Sequence, residues 1–251
     1  WTRVFIELTV RALMRVHHDY LVWDYEQSQN AVPQIDRLTN GHGLAFADEV
    51  TVCSAITQEF ITSRYASGTR FQVQDVPATG ELHSYELSRE TNYTKKSKQR
   101  ADFKCCRLPT TKFGPSLIEA IRAFVWTTKL SGPTSAPIDQ LKLIKKDIMK
   151  LRHECGNRSG DKMAPRGYIL VWNTARKDCP DTMIDPEGFV KLLKVRKIHV
   201  WQTRCVPLAS NQLNDERNML NALSVENWLW VLLAAVTPVR DDELPRRTAT
   251  P

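Results

Sequence analysis

Phe5, Leu8, Ala12 and Val16 return at three- and four-residue intervals with arginine and glutamate between them, so Thr2 to Gln29 is predicted to be helical. Its opening residues, Val4 to Val10, also alternate as a strand would. The polar trio His17, His18 and Asp19 lies on this helix, where neighbouring side chains diverge, and reads as surface. Pro33, Asn40, Gly41 and Gly43 mark a loop over 30–43. A second helix, Leu44 to Ser63, places Phe46, Val50, Cys53, Ile56, Phe60 and Ile61 on one side. Asp48 and Glu49 stand in its first turn, where acids suit the helix dipole. The alternating runs FQVQDV and LHSYEL, separated by Pro77 to Gly80, predict a β-hairpin.

A polar, increasingly basic loop with Lys95, Lys96 and Lys98 leads to Arg100 and a predicted strand, Arg100 to Leu108. The turn Pro109 to Pro115 follows, broken by Gly114-Pro115. Ser116 to Val125 reads equally well in two ways. As a strand it is apolar except for Glu119 and Arg122. As a helix it begins with the S-x-x-E capping box of Ser116 and Glu119, and Leu117, Ile121 and Phe124 share a face. Ile138 to Cys155 is an amphipathic helix, with Leu141, Ile144, Ile148 and Leu151 inward and Lys142, Lys145, Lys146 and Lys150 outside that face. Gly167 to Asn173 (GYILVWN) reads as a fully buried strand, and strand, helix, strand in this order predicts a right-handed parallel crossover. Glu187 to Val195 reads as a helix, Lys197 to Val206 as an edge strand, and Leu213 to Val236 as a long, largely apolar helix. Residues 238–251, rich in Asp, Arg and Pro, read as a disordered tail.

The expected fold class is therefore α/β: a mixed central sheet flanked by helices, with additional helices at both ends. The chain divides into an N-terminal helical segment (1–43), an α/β core (44–206), a C-terminal helix (207–237) and the tail. A hydrophobic share of 42% is enough to bury a core. The net charge of +7 favours an acidic partner, of which nucleic acid is the commonest. Cys53, Cys105, Cys106, Cys155, Cys179 and Cys205 show no C-x-x-C and no regular spacing with histidine, which argues against zinc and for reduced thiols in an intracellular compartment. The opening residues carry charge throughout, so no secretory leader is expected, and Trp228 to Val236 is too short to span a bilayer.

Two lone carboxylates, Asp102 and Glu119, on adjacent buried strands are costly unless something pairs with them. Mg2+ answers that cost, since it takes oxygen from one or two carboxylates plus substrate phosphates, which makes the hairpin a candidate for metal-assisted phosphodiester cleavage. The order strand-Asp102, turn, strand-Glu119, basic helix, apolar strand resembles the PD-(D/E)xK (restriction-endonuclease-like) nuclease superfamily over roughly Asp48 to Trp172. The resemblance favours the strand over the helix at Ser116 to Val125. It implies that Asp102 and Glu119 bind Mg2+ or Mn2+, with a further carboxylate, Glu49 before Glu59, from the preceding helix. It also implies that a lysine two residues after Glu119 positions or activates the attacking water. That position is Ile121, and the expected Pro before Asp102 is Ala101. Lys104, two residues from Asp102 and so on the same face of its strand, is the expected substitute cation, ahead of Arg122 and Lys129.

The expected activity is thus a Mg2+-dependent endonuclease acting on DNA, with Lys95, Lys96, Lys98, Arg100, Lys145 and Lys146 gripping phosphates and, as in many restriction-type enzymes, a homodimer. Two other readings stand beside it. One is a nuclease-fold protein that binds nucleic acid without cutting, with Ile121 recording the loss. The other is an unrelated α/β protein in which Glu119 caps a helix.

Overall fold

A computed structural model of the protein describes residues 1–29, 44, 47, 49–63, 66–67, 70–74, 82–92, 100–108, 114–122, 136–155, 164–176, 186–195, 197–208 and 227–236. In chain order these form α1 (Thr2–Gln29), α2 (Glu49–Thr62), β1 (Ala66–Ser67), β2 (Arg70–Gln74), β3 (Leu82–Asn92), β4 (Arg100–Leu108) and β5 (Ser116–Arg122). They continue with α3 (Ala136–Cys155), β6 (Arg166–Arg176), α4 (Pro186–Leu193), β7 (His199–Leu208) and β8 (Asn227–Ala235). The strands make one sheet in the order β1-β2-β3-β4-β5-β6-β8-β7. Among the described strands only β5 and β6 pair in parallel, and α3 supplies the crossover that a parallel pair requires. The fold is therefore α/β with a mixed sheet, as expected.

Alternation along the strands feeds two cores. Phe5, Leu8 and Leu13 of α1 and Val52, Ile56 and Phe60 of α2 pack on Phe71, Leu87, Phe103, Ile118, Leu170 and Val231. Ile144, Ile148 and Leu151 of α3, with Phe189 and Leu193 of α4, pack on Leu117, Ile169, Val171, Leu232 and Ala234. Successive residues of β6 and β8 thus alternate between the two cores, which is why Tyr168 to Trp172 and Trp228 to Ala235 are unbroken apolar runs.

Four expectations are corrected. Residues 227–235 are strand β8, paired with β6 on one side and β7 on the other, and not the end of a helix. A strand covered on both faces has no period of two to read, so its apolar run passed for helix. At the other terminus, Val4 to Val10 belongs to α1 and not to a strand. The capping-box helix at Ser116 is strand β5, paired along its full length with β6. His17 is buried, because it lies one turn beyond Leu13 on the inward face, and its Nδ1 accepts the Leu44 N–H at 3.1 Å.

The edge strand was expected correctly: β7 borders the sheet, with a register shift between Val200 and Gln202 and a proline at 207, both common where a strand has one neighbour. Cys105 is buried and Cys106 half-buried, as adjacent strand positions require, and Cys53, Cys105, Cys106, Cys155 and Cys205 are free thiols. No described helix is long and apolar enough to cross a membrane. Residues 30–43, 93–99, 209–226 and 237–251, including Lys95, Lys96 and Lys98, lie outside the described residues, as do Asp48, Lys129 and Cys179.

Helix α4 ends with Lys194 at φ 49, its N–H donating to the Lys191 carbonyl at 3.0 Å. This left-handed C-terminal position is where helices favour glycine, because a Cβ crowds the backbone. Lys194 is exposed and contributes little packing. Lys194→Gly is expected to stabilise the protein by roughly 0.5–1 kcal/mol, read as a higher urea midpoint at unchanged slope. A lower midpoint would show that the helix end is held by the lysine itself.

Candidate active site

Strands β4 and β5 pair only through Phe103–Ile118, Lys104–Leu117 and Cys105–Ser116. Beyond Phe103 the backbone ladder stops, and the next residues on the two strands are Asp102 and Glu119. Asp102 takes over as acceptor: the Ala120 N–H donates to its Oδ2 at 2.7 Å. The side chain stands in for a strand carbonyl and leaves the two chains apart at their open ends. Both sequence-predicted carboxylates therefore lie where the sheet parts, between the α2 layer and the α3 layer.

Glu119 is 5% exposed, and a buried carboxylate needs a cation. Lys150 Nζ provides it, donating to Glu119 Oε1 at 2.8 Å, with the Arg100 carbonyl 3.5 Å away. Lys150 lies on α3 and is three residues after Asp147, so the two side chains share a flank of the helix. Asp147 is also three residues after Ile144 and four before Leu151, which turns it inward with the apolar stripe. An acid at that helical phase was the signal in the sequence that this flank faces something charged.

The electrostatics join four acids. Burial pushes Glu119 up to about 7, against the pull of Lys150, with Asp147 adding to the rise. Glu49, at the exposed first position of α2, is also pushed up to about 7, first by desolvation and then by Asp102, Asp147 and Glu119. Asp102 is raised by burial, against the Ala120 N–H, Lys150 and Arg89. Asp147 is raised by burial against Lys150 and Lys146. Burial, with Asp102, Glu49 and Glu119, holds the Cys53 thiol well above its usual range. Among the described residues, Lys150 is thus the cation that acts on all four acids.

The remaining sequence candidates are placed differently. Lys104 stands in the paired part of the ladder, opposite Leu117 and Ser88, and its charge bears on Cys106. The contact expected of it belongs to Lys150 instead, because a helix crossing above β5 can lower a long side chain onto Glu119. Glu59 is on the far end of α2, paired with Arg15 at 3.1 Å. Arg100 and Lys146 are exposed near the site, and Lys145 is half-buried on α3. Ile121 is buried in the α3 core beside Ile144 and Ile148.

Among the described residues no group of three or more His, Cys, Asp or Glu is gathered closely enough to hold a metal ion by itself. Mg2+ asks for less: one or two carboxylates, the rest of its shell being water and phosphate oxygen. Asp102 and Glu119 supply hard oxygen donors at the parting of the strands, in a field made negative by Glu49 and Asp147. That donor set fits a hard divalent cation.

No family model, curated protein or solved structure matches this chain.

The raised carboxyls link stability to pH. An acid raised from 4.5 to about 7 on folding binds more protons in the native state across that interval, so stability falls as pH rises through it. For Glu119 the shift corresponds to an effect on the order of 3 kcal/mol. In EDTA, wild-type stability is expected to fall between pH 4.5 and 7 by more than that of Glu119→Gln, measured by urea denaturation at several pH values. Parallel pH profiles would show that Glu119 is already ionised at the lower end. A divalent cation held by these groups would act in the opposite sense, raising the melting temperature more at pH 8 than at pH 5, because it would need the ionised carboxylates.

Proposed function

We propose that this protein is a metal-dependent endonuclease that hydrolyses DNA phosphodiester bonds, built on a restriction-endonuclease-like core. The observation that carries this reading is the 2.8 Å contact between Lys150 Nζ and Glu119 Oε1. It brings to the carboxylates, from the neighbouring helix, the lysine that the resemblance asks for and Ile121 cannot be. Asp102 and Glu119 would hold Mg2+ or Mn2+, with Glu49 at the rim. The ion supplies Lewis-acid stabilisation of charge on the scissile phosphate.

Lys150 would orient the attacking water and oppose negative charge as it develops. Arg100, Lys145 and Lys146, with the basic segment Lys95, Lys96 and Lys98, supply phosphate contacts, and the net charge of +7 suits that partner. A homodimer and an intracellular location go with the same reading. A second reading, a nuclease-fold protein that binds nucleic acid without cutting it, is favoured by Ile121 alone.

The test is incubation of the purified protein with supercoiled and linear DNA in Mg2+, Mn2+ or EDTA, beside Asp102→Ala and Glu119→Ala. Metal-dependent cleavage that both substitutions remove is the expected result. Salt-sensitive binding without cleavage would move the assignment to the second reading. Neither binding nor cleavage would sink both.

A further inference from the structure

Arg89 of β3 sits apart from the carboxylates in sequence and holds the helix that brings one of them in. On β3, Leu87 faces the α1–α2 core, so Arg89, two residues on, emerges on the same side. Its Nη1 donates to Ser54 Oγ at 2.6 Å and its Nη2 to the Val50 carbonyl at 3.4 Å. Ser54 Oγ donates in turn to the same Val50 carbonyl at 2.7 Å. The guanidinium and the hydroxyl therefore converge on the carbonyl of the Val50–Thr51 peptide, one residue beyond Glu49.

Helix stability does not account for this arrangement. A cation beside the first turn of a helix opposes the macrodipole, which favours acids there. Packing anchors the turn through Val52, which is fully buried, while Val50 is 64% exposed and is held through its carbonyl by Arg89. Further along α2, Arg15 grips Glu59 at 3.1 Å and the Ala55 carbonyl at 3.3 Å. The charge of Arg89 also bears on Asp102 and Cys53. We infer that Arg89 is a positioning residue that, through the first turn of α2, sets Glu49 over the Asp102–Glu119 cleft. The inference rests on the nuclease reading for its consequence in catalysis, and on geometry alone for its consequence in α2.

Both consequences are measured in the full chain. Outer partners of metal-binding groups typically change affinity or activity by about 10–100-fold. Arg89→Met is expected to raise the Mn2+ concentration for half-maximal binding, followed by electron paramagnetic resonance of free Mn2+, about tenfold. The concentration for half-maximal DNA cleavage should rise in parallel. Because the effect passes through Glu49, Arg89→Met should add little in a Glu49→Gln background, and Arg89→Lys should recover part of the loss. Amide exchange over residues 50–54 should quicken in Arg89→Met while exchange in β6 and β8 stays unchanged, which also reports that the variant is folded.

Arg89→Met and Glu49→Gln effects that multiply independently would overturn the inference, and so would unchanged exchange over 50–54. If wild type neither binds Mn2+ nor cleaves DNA, the nuclease reading fails. The exchange comparison then decides the role of Arg89 in α2 by itself.

Discussion

On the proposed nuclease reading, Lys150→Met is expected to lower metal-dependent DNA cleavage by about 10²–10³-fold, the usual cost of removing one preorganised group that stabilises charge in a transition state. Methionine keeps most of the aliphatic length and removes the ammonium that lies 2.8 Å from Glu119 Oε1. The same change leaves a 5% exposed carboxylate without its cation. Breaking one side of a buried ion pair costs about 3–5 kcal/mol when the remaining group must stay charged. Glu119, already raised to about 7, escapes part of that cost by taking a proton. The stability loss should therefore be larger at pH 8 than at pH 5.5.

Position 121 offers the complementary experiment. It lies two residues from Glu119 on the same face of β5, where the family pattern would place its lysine. Adding Ile121→Lys to Lys150→Met is expected to recover part of the cleavage, at a cost in stability from placing an amine among Ile144 and Ile148. Cleavage that survives Lys150→Met at the wild-type rate would remove lysine 150 from the mechanism.

The second large effect separates what Asp102 does for the sheet from what it does for chemistry. Asp102→Asn retains a side-chain oxygen for the Ala120 N–H, bonded at 2.7 Å in wild type, while removing the negative charge. It also relieves a carboxyl whose burial raises its pKa. Stability within about 1 kcal/mol of wild type is expected, since a hydrogen bond to a neutral acceptor loses only part of the charged one. On the proposed nuclease reading, in which Asp102 would be a charged metal ligand, cleavage should fall by at least about 10²-fold. Asp102→Ala should lose cleavage equally and in addition about 1–3 kcal/mol, the cost of an unpartnered backbone N–H where the strands part. Equal urea midpoints for the two variants would show that water replaces the acceptor and that the bond holds nothing together. Asp102→Asn cutting as fast as wild type would remove Asp102 from the proposed site.

Much of the framework was legible because its elements carry a period or a stop. β4 was expected over Arg100–Leu108 and is found there. β5 begins at Ser116 as its strand reading required, just after the Gly114-Pro115 breaker. α3 shows its stripe of Ile144, Ile148 and Leu151, and the parallel pairing of β5 with β6 follows from the helix between them. β8 was missed because both of its faces are covered, which erases the alternation that marks a strand. His17 was misplaced because its neighbours His18 and Asp19 are exposed, and a local polar cluster outweighed the helical phase shared with Leu13.

The residues of the candidate site divide the same way. Asp102 and Glu119 were visible in the chain because a single acid inside an apolar strand is an anomaly that demands a partner. What answers them was not visible. Lys150 lies 31 positions from Glu119, and whether a lysine on an amphipathic helix faces water or a buried carboxylate depends on where that helix crosses the sheet. Lys104 satisfied the local geometry of β4, yet the ladder there is closed by Leu117 and the strands part only one step further on. Arg89, Ser54 and Val50 likewise meet only because β3 and α2 pack together. Strand and helix periods, and the oddity of two acids among apolar residues, are properties of neighbouring positions and can be read along the chain. The pairing of charges is decided across the layers, by side chains that only packing brings within reach.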